Sequence, residues 1–393
     1  MQKCDYCDFF SLPLGSDAFD QNRIARVPRA LAEPWLKALE QELDQRLDTQ
    51  FSGRTVNTIY LGGGTASLLR PRVLASVLEL IQSRLSLDED CEITLEANPE
   101  NTSPQQLQAW FAAGFNRLHV GYQTRDARRL TDLNRYFDAE SYRSLPERLA
   151  QSPFDNWGLD LIYGFGSQTA LEFYADLKAV LEFQPQHLSL YSLTVEPGTA
   201  LARKLGSRQP GAAVAMQTLA PDEDLQSRIF GELPERLAAE GYEQYEVSNY
   251  ARPGYASRHN LRYWLWESWI GLGPGAHGFT GQKRYQNTRL LDRWLAAPAG
   301  AALQAGDVRL EFPIGYLRLC GDLSPAFYES IILESLAAES VEPPGQAWPG
   351  IDALFREWQA AGYLKPGSEP ATWRWTANGL AWLDDRILEA SRI

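Results

Sequence analysis

The sequence predicts an α/β protein: a partial (β/α)6 barrel over residues 1–250, an aromatic-rich extension over 251–300 and a small C-terminal α+β module of winged-helix type over 301–393. Two observations predict the barrel. Apolar runs alternate six times with segments of helical period, the arrangement of a parallel sheet with right-handed crossovers. Five of those runs end in polar or glycine-rich turns, which is the chemistry of the functional end of a barrel. Periodicity alone does not separate a barrel from a flat doubly wound sheet; the turn chemistry favours the barrel. A third observation, a shift to aromatic composition after Gly254, marks the extension.

The elements follow in order. A helix begins near Ala30, with Pro34 in its first turns and Leu36, Leu39, Leu43 and Leu47 on one stripe. Val56 to Leu61 is a buried strand running into Gly62-Gly63-Gly64-Thr65, and a helix spans Pro71 to Leu85. Strand Glu92 to Glu96 ends in Ala97-Asn98-Pro99. Ser103-Pro104 caps the next helix and Gly114 stops it. Strand Arg117 to Val120 leads to Gly121-Tyr122-Gln123, then to helical segments at Ala127–Leu133 and Ala139–Ala150. Strand Trp157 to Ile162 ends at Tyr163-Gly164, helix Ala170 to Phe183 follows, and strand His187 to Leu193 precedes Glu196-Pro197-Gly198. A polar loop at Gly206–Gly211, a helix from about Asp222 to Ala239 and a sixth strand, Glu243 to Val247, complete this part. Ala296 to Ala302 has linker composition. Beyond it lie helices near Pro325–Ala337 and Gly350–Ala361, a turn at Pro343-Pro344-Gly345, a strand Thr372 to Trp375 and a last helix Asn378 to Leu388.

At 393 residues the chain is long enough for two domains or a large barrel with an appendage. A net charge of -13 argues against nucleic acid or an anionic membrane as a partner, because counterion release needs a basic face. No apolar run approaches the roughly 18 residues of a membrane span, and no basic-then-apolar leader opens the chain. Four cysteines do not make a disulfide scaffold, and a reducing, cytoplasmic compartment is expected. Cys91 and Cys320 sit in apolar segments and read as buried thiols.

That leaves Cys4 and Cys7 as the candidates for chemistry. A redox pair of thioredoxin type opens a helix after a strand, and no strand precedes them. A zinc site needs four ligands, and no second pair with ligand spacing appears. An iron–sulfur site remains, which needs at least one more thiolate. Gly62–Thr65 lets backbone N–H groups approach a polar ligand, although a tight turn alone would use the same residues. It lacks the Gly-Lys-Ser/Thr of a phosphate loop and the third glycine of the dinucleotide fingerprint. Glu96, Gln123, Arg135 and Asp160 stand at or soon after strand ends. Singly each reads as a loop residue or cap. Together they suit a ligand with ammonium, carboxylate and ribose hydroxyl groups. His259 lies among aromatics; a lone histidine is usually structural, but a haem-contacting surface has the same composition.

These motifs, in this order, resemble the radical S-adenosylmethionine (SAM) proteins related to oxygen-independent coproporphyrinogen III oxidase, and among them the HemW-type haem chaperones. The matching segments are Cys-x-Tyr-Cys-Asp-Phe at Cys4–Phe9, Gly-Gly-Gly-Thr at Gly62–Thr65, Glu-Ala-Asn-Pro at Glu96–Pro99 and Asn-Arg-Leu-x-x-Gly-x-Gln at Asn116–Gln123. Asp-Leu-Ile-Tyr-Gly at Asp160–Gly164, Tyr-Glu-Val-Ser-Asn at Tyr245–Asn249 and His-Asn-x-x-Tyr-Trp at His259–Trp264 follow, and Leu317-Arg318 falls where the family's C-terminal domain begins. The resemblance implies a [4Fe–4S] cluster on three cysteines with SAM on the open iron, and one-electron reduction of SAM to a 5′-deoxyadenosyl radical. It implies Gly63, Gly64, Thr65, Glu96, Gln123, Arg135 and Asp160 as SAM contacts, Cys4 and Cys7 as cluster ligands, and His259 as the haem contact. Counting back along Cys-x-x-x-Cys-x-x-Cys puts the first cysteine one residue before Met1, so the resemblance implies a chain that begins inside the motif.

Two features divide chaperone from oxidase. The oxidases carry a fourth cysteine two residues after the motif, where this chain has Phe9; the His-Asn-x-x-Tyr-Trp stretch of the chaperone branch is intact. Haem delivery to acceptor proteins, respiratory ones among them, is the expected function. Membrane contact is expected only through those partners, and a homodimer is a further expectation. Oxidative decarboxylation of coproporphyrinogen III is the alternative, and a haem-binding protein without a cluster is the third reading. Ala66 in Thr65-Ala66-Ser67, Leu133–Phe137 and Phe165-Gly166-Ser167 depart from the family pattern.

Overall fold

A computed structural model of the protein describes residues 3–11, 27–51, 53–206, 218–338 and 350–392. The predicted turn at Pro343-Pro344-Gly345, and the predicted loop Gly206–Gly211 beyond its first residue, lie outside them. The chain forms two compact units. The first comprises Met1–Arg236, Gly273–Gly275 and Thr288–Ala299; the second comprises Leu237–Leu272, Ala276–Asn287 and Gly300–Ile393. No helix among the described residues is long and apolar enough to cross a membrane.

The first unit is built on five parallel strands: β1 (Thr55–Leu61), β2 (Ser86–Ala97), β3 (Arg117–Gln123), β4 (Asn156–Tyr163) and β5 (His187–Ser192), hydrogen-bonded in sequence order. Helices α1 (Arg29–Arg46), α2 (Pro71–Arg84), α3 (Pro104–Ala112) and α7 (Ala170–Leu181) lie between or before them. Strand β2 starts earlier than its apolar run, at Ser86, because that polar segment pairs with Thr55 and Val56 of β1. The predicted helix Ala139–Ala150 is two short helices, α5 (Ala139–Arg143) and α6 (Leu145–Ala150), following α4 (Ala127–Asp132). Pro146, in the first turn of α6, has no N–H to continue a hydrogen-bond ladder from α5.

Register sorts the side chains of this sheet into two faces. One carries Ile93, Leu95, Leu118, Val120, Leu159, Leu188 and Leu190, all buried. The other is polar. Glu96 registers with His119, His119 with Gly158, and Gly158 with His187; one step nearer the strand ends, Gly121 registers with Asp160 and Asp160 with Ser189. Half-buried carboxylates and buried imidazole and hydroxyl groups therefore line one face of the sheet and converge toward its carboxyl end.

The first unit also contains α8 (Ala200–Leu205), most of α9 (Glu223–Ala239) and, from a later return of the chain, α11 (Leu291–Ala296). Helix α1 carries a buried carboxylate, Glu42, which accepts from the Gly273 N–H at 2.9 Å and the Trp294 indole N–H at 3.0 Å, with the Arg46 guanidinium 3.7 Å away.

In the second unit the predicted sixth strand forms as β6 (Glu243–Glu246) and pairs antiparallel with β7 (Asn249–Ala251). Helix α10 (Arg258–Trp264) holds the aromatic motif, and β8 (His277–Phe279), β9 (Lys283–Gln286) and β10 (Gln304–Ala305) make a three-stranded antiparallel sheet. The C-terminal module consists of α12 (Val308–Tyr316), α13 (Pro325–Ala338), α14 (Gly350–Ala360), the hairpin of β11 (Leu364–Pro366) and β12 (Trp373–Trp375), α15 (Ala377–Ala381) and α16 (Leu383–Ala390). Its core, with Phe312, Tyr316, Tyr328, Phe355, Trp358 and Trp375, is continuous with Trp266 and Phe279.

Candidate functional site

The cysteine turn is fixed from both sides. Cys7 N–H donates to the Cys4 carbonyl at 3.2 Å, closing a tight turn. Asp5 N–H donates to the Leu133 carbonyl at 2.9 Å, and the Asp5 carbonyl accepts from Leu201 N–H at 2.8 Å. The Asp5 carboxylate is buried, accepts from Asn134 Nδ2 at 3.2 Å and pairs with Lys204. Asn134 adopts φ +54° just after α4, a conformation asparagine tolerates, and its amide also donates to the Lys3 carbonyl at 3.2 Å. Tyr6 packs against Leu133, Phe165, Leu193 and Leu201, and this burial pushes its phenol above the ordinary range. Both cysteines remain partly accessible. Burial pushes the Cys7 thiol up, with the Phe9 N–H working against it. Phe9, at the position that separates the two family branches, is 65% exposed. Asp8 is clamped by both Arg289 guanidinium nitrogens, at 3.0 and 2.9 Å.

Arg135 ties this turn to the strand ends. Its guanidinium lies 3.9 Å from Cys4 Sγ, donates to Asn98 Oδ1 at 3.0 Å and to the Gly121 carbonyl, and reaches the Tyr142 hydroxyl at 3.5 Å. Asn98 in turn donates to Thr65 Oγ1 at 3.5 Å. Gln123 ends β3 at φ +70°, with a register shift between Gly121 and Gln123. A non-glycine residue in this region is strained, and such strain gathers at functional sites. The kink turns the Gln123 amide back over Gly121, where a Cβ would come 2.8 Å from Gln123 Nε2 and 3.2 Å from the Arg135 guanidinium.

Glu96 is the centre of a second cluster. It accepts from the Tyr60 hydroxyl at 2.6 Å and from Gly63 N–H at 3.1 Å. Burial raises the Glu96 carboxyl above the usual range; the Tyr60 hydrogen bond opposes this, and the charge of nearby Asp160 adds to it. Gly63 and Gly64 have φ of +77° and +82°, and a Cβ at Gly63 would meet nothing within 4 Å. The loop is thus an open backbone surface beside a carboxylate. Asp160 hydrogen-bonds His119 Nε2. Of the residues singled out from the sequence, Cys4, Cys7, Gly63, Gly64, Thr65, Glu96, Gln123, Arg135 and Asp160 all belong to this one region of the first unit. Tyr60, Asn98, Asn134 and His119 are partners that the sequence did not single out. Asn98 and His119 lay within quoted motifs and Asn134 within a quoted departure, but none was marked as a partner, and nothing local distinguished Tyr60.

His259 belongs to the second unit. Ser257 caps α10, its buried hydroxyl accepting from Asn260 N–H at 3.3 Å. His259 Nε2 lies 2.6 Å from the Tyr263 hydroxyl, the two rings meet edge-on at 4.9 Å, and Tyr263 meets Trp269 at 4.7 Å. All of Arg258–Leu265 is half-buried, so the motif presents an aromatic surface that solvent reaches.

Comparison with known proteins places this arrangement. The Radical SAM superfamily profile matches residues 1–180. The heme chaperone HemW of Mycobacterium tuberculosis is 34% identical over 304 residues, 77% of this chain and 73% of that one. HemW of Escherichia coli K12 is 36% identical over 279 residues, 71% of this chain and 67% of that one. The chain belongs to the HemW family of radical SAM proteins. Its fold is that of the E. coli coproporphyrinogen III oxidase HemN, at TM-score 0.70 and 22% identity over 99% of this chain and 87% of that one.

Radical SAM membership implies a [4Fe–4S] cluster and SAM. The donor set fits SAM: an open glycine loop, two carboxylates, an amide and a guanidinium border one region. For the cluster the fit is partial. Cys4 and Cys7 offer two thiols, and no group of three or more potential metal-ligating side chains occurs among the described residues. Cys91 is buried in β2, and Cys320 lies in the other unit.

Proposed function

We propose that this protein is a haem chaperone, which binds haem through the α10 surface and delivers it to acceptor proteins in the cytoplasm, respiratory ones among them. The observation that carries this is the identity of 34–36% to proteins named heme chaperone HemW over 71–77% of the chain. Two features support it: the accessible His259–Tyr263–Trp269 ring cluster and the phenylalanine at position 9. Likeness to the oxidase is at the level of fold.

In the same reading Gly63, Gly64 and Thr65 receive the methionyl part of SAM, and Glu96 receives its ammonium group. Arg135 receives its carboxylate, and Asp160 and Gln123 the ribose hydroxyls. Cys4 and Cys7 are two of the cluster's thiolate ligands. Together the two cofactors supply one-electron chemistry; the protein's residues bind and orient them.

The test is haem titration of the full chain, read at the haem absorption band. Saturable binding that weakens about tenfold (about 1.4 kcal/mol) in His259→Ala is expected. Equal affinity of the two proteins removes the role of His259, and no saturable binding by the unsubstituted chain overturns the function. Anaerobic incubation with SAM, a reductant and coproporphyrinogen III is expected to give no decarboxylated product.

A further inference from the structure

We propose that His119 is a positioning residue for the SAM site, which holds the Asp160 carboxylate in place through Nε2. The inference rests on Asp160 being a SAM contact. Nothing in the sequence marks His119: it lies in mid-strand, flanked by Leu118 and Val120, and reads as a core histidine.

Strand register gives it its reach. His119 stands in the row Glu96–His119–Gly158–His187, one step below the row Gly121–Asp160–Ser189. Gly158 leaves the neighbouring position empty, and the imidazole uses that space: a Cβ at Gly158 would come 2.9 Å from His119 Nδ1. From there Nε2 reaches diagonally to Asp160 Oδ1 and lies 3.2 Å from Ser189 Oγ. His187 meets the ring edge-on at 5.4 Å and closes the far side.

His119 is buried, whereas Asp160 is partly exposed in the carboxyl half of β4. A buried imidazole donating to a carboxylate fixes which way its oxygens point, as an outer partner orients a metal ligand. His187 is held well below the ordinary histidine range, first by burial and then by the charge of Arg117, so it adds no competing cation. Glu96 registers directly beside His119, so one ring stands next to both carboxylates of the site.

The test uses SAM and the full chain, with equilibrium dialysis under anaerobic conditions. His119→Leu is expected to weaken SAM binding about tenfold. His119→Gln, whose amide nitrogen falls near the Nε2 position, is expected to recover affinity to within about threefold of the unsubstituted chain. Asp160→Asn should weaken binding, and adding His119→Leu to it should change little, because the two act as a unit. A structural role alone predicts that Gln and Leu behave alike, and that result overturns the proposal. So does undiminished binding by His119→Leu. Absence of SAM binding by the unsubstituted chain removes the site assignment and this inference with it. A ligand-free readout separates the two. The chain has only four histidines, so 15N-histidine labelling resolves each ring. The Nε2–H tautomer at His119, perturbed by Asp160→Asn and not by His259→Ala, is expected. An Nδ1–H tautomer at His119 overturns the proposal even where SAM binds.

Discussion

Glu96 shows how much one side chain is asked to do. It takes two hydrogen bonds from within the protein, from Tyr60 and Gly63, and still faces the open glycine loop. Burial raises its carboxyl, so the folded protein holds the proton to a higher pH than an exposed glutamate does. Ionisation then costs folding free energy: the stabilising contribution is fully present below the unfolded pKa and is lost as pH rises through the raised folded value. Glu96→Gln is therefore expected to leave thermal stability at pH 7 unchanged or higher while weakening SAM binding by about tenfold or more; a lowered melting temperature would contradict this. SAM affinity of the intact protein should also fall on acidification earlier than the ordinary glutamate range predicts, as the carboxylate is neutralised. At this scale the sequence was informative where a polar residue stood at a strand's end, as Gln123 does, or within a motif near one, as Glu96 and Asp160 do. It was silent where a polar residue sat inside a strand. His119 and Tyr60 look like core residues locally, and only strand register, a relation across many residues, brings them to the carboxylates.

Elements place these side chains, and their ends matter most. Helix α10 has 7 residues, too few to be stable without a good start, and Ser257 supplies that start. Ser257→Ala is expected to cost about 1 kcal/mol of local stability and to weaken haem binding up to about fivefold without touching His259. Haem titration beside amide exchange over α10 checks it. The glycine before β8 is tighter still. A Cβ at Gly271 would fall 1.8 Å from the His277 carbonyl oxygen, a backbone atom that cannot step aside. Gly271→Ala should lower the melting temperature of the second unit by several degrees, whereas Gly281→Ala, with open space around it but φ +97°, should cost less. Helices and buried strands were legible because their periods are local. Misreadings occurred where chain chemistry competes with period. Pro146 splits a continuous helical pattern, and polar Ser86–Asp90 joins β2 by pairing with β1. The short strands β8 and β9 have too few residues to show a period.

For the whole molecule, the informative fact is that the first unit is discontinuous in sequence. Residues Gly273–Gly275 and Thr288–Ala299 return to it, and Glu42 of α1 holds both through Gly273 and Trp294. Glu42 is fully buried, so its removal takes from Gly273 and Trp294 the carboxylate they donate to and removes the opposite charge 3.7 Å from Arg46. Glu42→Ala should cost about 3–5 kcal/mol, read as a lower denaturant midpoint of the first unit's transition. Glu40→Ala, which breaks an exposed pair with Arg84, should cost less than about 1 kcal/mol. No local pattern announces such a return. The run Ala296–Ala302 has the composition of a linker, yet Trp294 just before it is fully buried.

The clamp on Asp8 sets a clock on biosynthesis. Arg289 lies 281 residues downstream of the carboxylate it grips. At roughly 5–20 residues per second, a ribosome needs about 15 to 60 s to make that stretch. Throughout that interval the Asp8 carboxylate lacks the cationic partner it has in the folded chain. That contact consequently forms later in synthesis than the backbone ties of Asp5 to Leu133 and Leu201.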